Sequence, residues 1–96
     1  MASYELTGEA EDDLFGIYAY SYRQFGPAQA ESYFASLHEC FGRLAEFPGM
    51  GRSIAHLRKG YFRFEHVSHV VFYVHTKGRI RVVRVLHQRQ DPDRHL

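Results

Sequence analysis

The chain has one cysteine, no tryptophan, three prolines and only two lysines among its 96 residues, and each scarcity excludes something. A lone Cys40 closes no internal disulfide, so the fold must stand on its core and a reducing compartment, the cytoplasm, is expected. No stretch approaches the roughly 18 to 20 apolar residues that cross a bilayer, so no membrane partner is expected. Met1 to Ala10 hold Glu5 and Glu9 but no basic residue, which is not the pattern of a secretory leader. With Lys59 and Lys77 as its only lysines and a net charge of +1, the chain is poorly suited to being wrapped in RNA.

The usual enzyme templates are missing too. There is no Gly-x-Ser-x-Gly elbow, no P-loop and no dinucleotide fingerprint. Ser68 and His69 are neighbours in sequence, which points their side chains to opposite faces of a strand. Of the seven histidines only His66 and His69 stand close together, and Cys40 is alone on a helix. No metal and no cofactor are expected.

What is present suffices for one small α+β domain. Fifteen aromatics within a 45% apolar composition can fill a core, and a chain this short has room for only one. Charge is polarised: residues 1–50 hold two arginines and most of the acids, and residues 51–96 hold the other ten basic residues. Such a domain presents one basic face, suited to phosphates or to an acidic protein.

Residues 2–6 read as a strand. Thr7 caps a helix over 8–25 whose first turn is acidic (Glu9, Glu11, Asp12, Asp13), as the helix dipole prefers. Ala10, Leu14, Ile17, Tyr18 and Phe25 follow helical spacing, and Gly26-Pro27 separates this helix from a second over 27–47. Ala30, Tyr33, Phe34, Leu37, Phe41 and Leu44 form its apolar stripe. From Tyr61 the period becomes strand-like. Strands are expected over 61–65, 69–75 and 79–86, with a tight turn at Thr76-Lys77-Gly78, making an antiparallel meander over 61–86. The polar tail over 88–96 is expected to be irregular or weakly helical. The order is β-α-α-β-β-β, with a helical hairpin packed on a small, mainly antiparallel sheet.

On the last strand, alternation puts Arg79, Arg81, Val83, Val85 and His87 on one face and Ile80, Val82, Arg84 and Leu86 on the other. Arg84 then interrupts an apolar face and needs an acid from a helix or from the C-terminal carboxylates. Tyr73, Arg63 and His69 are expected to line the exposed face of the sheet, with core packing the alternative for Tyr73.

The ordered run Gly51-Arg52, Gly60-Tyr61-x-Arg63-Phe64, Ser68-His69-x-x-Phe72-Tyr73 and Val85-Leu86-His87-Gln88-Arg89 resembles the ParE toxins of bacterial type II toxin–antitoxin pairs. The likeness extends upstream through Tyr18-x-Tyr20-x-x-x-x-Gln24-Phe25-Gly26, Ala30-x-x-Tyr33 and Leu44-Ala45-x-Phe47-Pro48. Within the wider ParE/RelE superfamily, the resemblance implies one of two activities. ParE-type members poison DNA gyrase by protein–protein binding and have no active site. RelE-type members are ribosome-dependent messenger-RNA endonucleases, and for that alternative the candidates are His87, Arg63, Arg84 and His69. The sequence departs from the nuclease pattern, because no tyrosine follows Tyr73 and His69 stands where those enzymes carry a strand arginine. It departs from the ParE pattern at Gln90, where methionine is common.

The resemblance also implies a cognate antitoxin, ParD-like with a ribbon-helix-helix half, and contact with operator DNA only through that antitoxin. The surface for target or antitoxin is expected to draw on Arg58, Tyr61, Arg63, His69, Tyr73, Arg84, His87, Arg89 and Arg94. Aromatics on the helices, Tyr18, Tyr22 and Phe34, are expected to dock the antitoxin.

Overall fold

The computed structural model describes residues 2–96. Strand β1 (Ser3–Leu6) leads into helices α1 (Gly8–Phe25) and α2 (Pro27–Glu46), and a 3-10 turn at Pro48–Met50 leads to β2 (Arg52–Ser53). Strands β3 (Tyr61–His66), β4 (His69–Thr76) and β5 (Arg79–His87) follow, and a one-turn helix α3 (Pro92–His95) closes the chain. The sheet runs β1-β5-β4-β3-β2, with β1 parallel to β5 and every other pair antiparallel. This is the expected α+β arrangement, a helical hairpin on a mainly antiparallel sheet. No helix of the described residues is long and apolar enough to cross a membrane.

The helices form where capping and spacing agree. The Thr7 side chain accepts from the Ala10 N–H at 3.1 Å, and Glu9 and Glu11 sit in the first turn of α1. Facing the sheet, Leu37, Phe41 and Leu44 of α2 are fully buried against Val71, Tyr73, Ile80 and Val82. Burying each side chain of this size is worth about 1.5 to 3 kcal/mol. A second, smaller cluster of Ile54, Val70, Phe72 and Leu86 lies on the opposite face, where Tyr61, Val83 and Leu96 pack against it. The tail is therefore not loose: Asp91 caps α3 by accepting from the Asp93 N–H, and Leu96 covers this second cluster.

Three features differ from expectation. The two-residue edge strand β2 is too short to leave a sequence period. Next, β5 contains a bulge. Phe72 pairs with Arg84 and Tyr73 with Val82, so Val83 is an extra residue and the alternation slips beyond it. Val85 therefore joins Ile80 and Val82 on the helix side, while Leu86 faces the other way. Finally, Tyr73 is not on an exposed face. It is fully buried beneath the helices, its hydroxyl donating to the Pro48 carbonyl at 2.6 Å and accepting from the Gly51 N–H at 3.1 Å. Alternation along β4 and β3 puts Tyr73 and His69 on the helix side and Arg63 on the opposite one, so the three do not share a face.

β1 ends at Leu6, opposite Val82, leaving the last half of β5 without a strand on the side away from β4. Side chains close that edge instead. Thr7 Oγ1 donates to the Val83 carbonyl, Asp13 accepts from the Val85 N–H, and Gln90 Oε1 accepts from the His87 N–H. An edge satisfied in this way offers little to a further strand.

Candidate functional site

Two rows of side chains cross the sheet, one on each face. On the helix side His66, His69 and His87 are register partners across β3, β4 and β5. The rings of His69 and His87 meet edge to face at 5.5 Å, and the Tyr33 hydroxyl of α2 lies 2.7 Å from His69 Nδ1. Ser36 of α2 lies 3.0 Å from His66 Nε2. Beside this row a cleft of about 710 Å³ opens between the two helices and the β3–β4 hairpin. Its lining includes Ile17, Tyr20, Phe25, Val67, His69 and His87.

Hydrogen bonds engage both His69 and His87 through Nδ1. The Arg89 backbone N–H donates to His87 Nδ1 at 3.2 Å, so the neutral His87 ring carries its proton on Nε2. The Tyr33 hydroxyl, its ionisation pushed up by burial, shares a hydrogen bond with His69 Nδ1 at 2.7 Å and donates to the His66 carbonyl at 3.4 Å. Burial, and then the neighbouring His87 and His66, hold the His69 pKa down to about 4. The His66 pKa is lowered as well, by burial and then by Arg43. At neutral pH His66 and His69 are therefore uncharged.

The linkage runs in one direction. His69 titrates near 6.5 in the unfolded chain and near 4 in the folded one, so the unfolded state binds its proton first. Stability from this group is intact above about pH 6.5 and falls as pH drops towards 4. The ring is only partly buried and solvent screens it, so the expected loss is about 1 to 2 kcal/mol. Urea denaturation of the wild-type chain and His69→Gln across that window checks this; equal pH slopes for the two would refute it.

The hairpin at the cleft's lip is unusual. The β4–β5 turn uses Gly78 at φ 67°, but the β3–β4 turn places Val67 at φ 54°. A branched side chain in that region is strained by about 1 to 3 kcal/mol. Val67 is also 78% exposed, so no core packing offsets the cost.

On the opposite face Arg52, Arg63, Phe72 and Arg84 are successive register partners across β2, β3, β4 and β5. Arg84 has its acid. Its Nε and NH2 donate to the two Asp13 carboxylate oxygens at 2.8 and 2.9 Å, and NH1 donates to the His95 carbonyl at 2.9 Å. The bond to Asp13 raises the Arg84 pKa further. Arg84 is thus an internal clasp joining α1, β5 and the tail. Arg63 lies over the Phe72 ring at 5.9 Å, and among the acids of the described residues it approaches only Glu65, at 3.9 Å.

Other expected residues are dispersed. Arg58 lies over the Tyr61 ring at 5.1 Å on the open face, while Arg89 and Arg94 are exposed in the tail region. Tyr18, Tyr22 and Phe34 do meet: Tyr18 contacts Tyr22 at 6.3 Å and Phe34 at 5.9 Å, forming an aromatic patch across the helical hairpin. Among the described residues no group of three His, Cys, Asp or Glu side chains is placed to hold a metal ion. Sequence reasoning missed Tyr33, Ser36, Arg52 and Asp13 as site residues. Tyr33 falls on an apolar stripe and its partner lies 36 positions away, so nothing local marks it.

Comparison with known proteins adds to this geometry. The family described as "ParE toxin of type II toxin-antitoxin system, parDE" matches residues 4–92. "Toxin ParE1" of Caulobacter vibrioides is 41% identical over 96 residues, covering 100% of this chain and 99% of that protein. "Toxin ParE1" of Mycobacterium tuberculosis is 42% identical over 94 residues (97% and 96%), and "Toxin ParE" of Escherichia coli is 39% identical over 92 (95% and 89%). A chain of the solved "Chromosomal ParDE TA system from P. aeruginosa" superposes with a TM-score of 0.75 at 20% identity, covering 91% of this chain and 96% of that one. That likeness bears on the fold.

Proposed function

The chain belongs to the ParE toxins of type II toxin–antitoxin systems, and from that premise we propose that it acts in the cytoplasm by binding DNA gyrase, not by catalysis. In this reading gyrase is held with its DNA cleaved, and a ParD-like antitoxin neutralises the toxin by covering it. The aromatic patch of Tyr18, Tyr22 and Phe34 receives the antitoxin. The cleft residues His69 and His87, with Arg89, and the open-face residues Arg58, Tyr61, Arg63 and Arg94 serve as contact surface.

The state of the histidine row is the observation that carries this reading. A general base needs an unprotonated nitrogen facing its substrate. Here both Nδ1 atoms are engaged within the protein, His87 by the Arg89 N–H and His69 by the Tyr33 hydroxyl, and His87 Nε2 carries its proton. Tyr73 is buried and Arg84 is committed to Asp13, so neither is free to serve a phosphate. A lip of exposed Tyr20, Phe25 and Val67 around the imidazole rings suits a protein surface.

The ribonuclease alternative has one observation in its favour, the edge-to-face contact of His69 with His87. A gyrase assay with the purified chain separates the two. Loss of supercoiling with trapped double-strand breaks, suppressed by the antitoxin, is the expected outcome. His87→Ala is expected to weaken trapping by less than about tenfold, the scale of a contact worth about 1 kcal/mol. A general acid–base residue lost from a nuclease removes about 100-fold or more. No trapped breaks, together with ribosome-dependent cleavage abolished by His87→Ala, would move the assignment to the enzyme.

A further inference from the structure

The row on the open face is electrostatically incomplete at one end. Arg84 has a bidentate carboxylate at 2.8 and 2.9 Å and a backbone carbonyl besides. At the other end Arg52 and Arg63 stand directly opposite each other across β2 and β3, with side chains on the same face. Like charges in that relation repel, and an anion between them removes the penalty. No acid among the described residues bonds either guanidinium: Glu65 lies 3.9 Å from Arg63, too far for a hydrogen bond, and Asp91 and Asp93, which line a cleft with both arginines, form an ion pair with neither.

Arg63 carries a second anomaly. Its Nε is covered, yet it has no hydrogen-bond partner among the described residues. A buried donor without an acceptor costs about 1 to 3 kcal/mol and calls for an explanation in a missing partner. The surroundings are concave: Arg52 and Arg63 together line a cleft of about 440 Å³, and Phe72, His56, Asp91 and Asp93 belong to the same lining.

We propose that Arg52 and Arg63 form a binding site for a single carboxylate, supplied by an aspartate or glutamate side chain of a partner protein. The two guanidinium groups close on the carboxylate as forks, and Arg63 turns outward from its covered position, so that its Nε no longer lacks an acceptor. The lining favours one carboxylate over a nucleic-acid strand, because Asp91 and Asp93 repel a run of phosphates more strongly than a single charge. The proposal rests on the reading that the chain works through protein partners, and it adds where an acidic residue of such a partner docks.

The test observes the arginine Nε–H signals of the ¹⁵N-labelled chain by NMR near pH 6 (about that value keeps phosphate mostly singly charged). Sodium chloride is replaced stepwise by sodium acetate, and separately by sodium phosphate, at constant ionic strength. The expected result is that the Arg52 and Arg63 signals move together and saturate with acetate while those of exposed Arg23 and Arg79 stay in place. Arg52→Gln, at an exposed position, is expected to weaken the effect at least threefold, and Arg63→Lys, which keeps the charge but loses the fork, to abolish it. Parallel drift of all arginine signals, or none at Arg63, would overturn the site. A preference for phosphate of tenfold or more would overturn the carboxylate assignment in favour of nucleic acid. Because no gyrase is present, saturable acetate binding in a chain that traps no breaks would leave this site standing and remove the gyrase reading alone.

Discussion

Asp13→Ala is expected to cost the fold about 3 to 4 kcal/mol, the range for breaking a buried pair by removing one partner. The Arg84 and Asp13 side chains are 17% and 14% exposed, so solvent cannot fully replace what is lost. Asp13 bonds the Arg84 guanidinium through both oxygens and also accepts from the Val85 N–H, on the edge that β1 leaves uncovered. Alanine strands a cation and a backbone donor together. Glu9, at 3.7 Å from Arg84 NH1 and itself 76% exposed, offsets little of this. In a domain of this size the melting temperature should fall by on the order of 20 °C. Asp13→Asn, which keeps an acceptor for Val85, should lose roughly half as much. The double change Asp13→Leu with Arg84→Met should recover part of the loss, since an apolar pair leaves no charge unpaired. Urea titrations of the four proteins decide it. A loss below about 1 kcal/mol for Asp13→Ala would mean that the pair behaves as a surface salt bridge.

That clasp shows how far sequence reading reaches. Arg84 within an apolar run announces that an acid must meet it, and the acids of α1 were among the few available. The identity of the acid depends on the bulge at Val83, and a bulge is one residue of pairing register, invisible to a period-2 pattern. The bulge also redistributes the strand: simple alternation groups Leu86 with Ile80 and Val82, and the slip sends Leu86 to the second cluster. The helical hairpin was readable because Thr7, the acidic first turn and Gly26-Pro27 are local signals. The histidine row was not, since it joins β3, β4 and β5 by register and reaches Tyr33 on α2 through tertiary contact. Arg63 and His69 could be named from sequence as candidates. Which face each occupies, and that Arg52 stands opposite Arg63, required the pairing of β2.

Gly51→Ala tests that pairing where it is set. Gly51 has ordinary extended backbone, so its requirement is space and not conformational freedom. A Cβ there would collide with the Tyr73 hydroxyl and lie 2.8 Å from the Arg63 carbonyl and 2.9 Å from Tyr73 Cε1. The carbonyl is backbone and the ring is fully buried, so neither can yield without moving the β2–β3 edge or the core. Overpacking of this kind costs about 1 to 3 kcal/mol, and displacing the hydroxyl also breaks its bonds to Pro48 and Gly51, at about 1 kcal/mol each. A total loss of about 3 to 5 kcal/mol is expected. Tyr73→Phe alone should cost about 1 to 2 kcal/mol, and the double variant less than the sum, because the hydroxyl is counted in both. Strict additivity in denaturation would show that the two residues are not in contact. The consequence for function follows from position: Gly51 precedes Arg52, so moving this edge separates Arg52 from Arg63. A folded Gly51→Ala chain should therefore lose the concerted response of the two arginines to acetate while the His69–His87 contact, on the other face and at the far end of β4, is unchanged. If both faces change together, the sheet transmits the strain, and the two sites are parts of one surface.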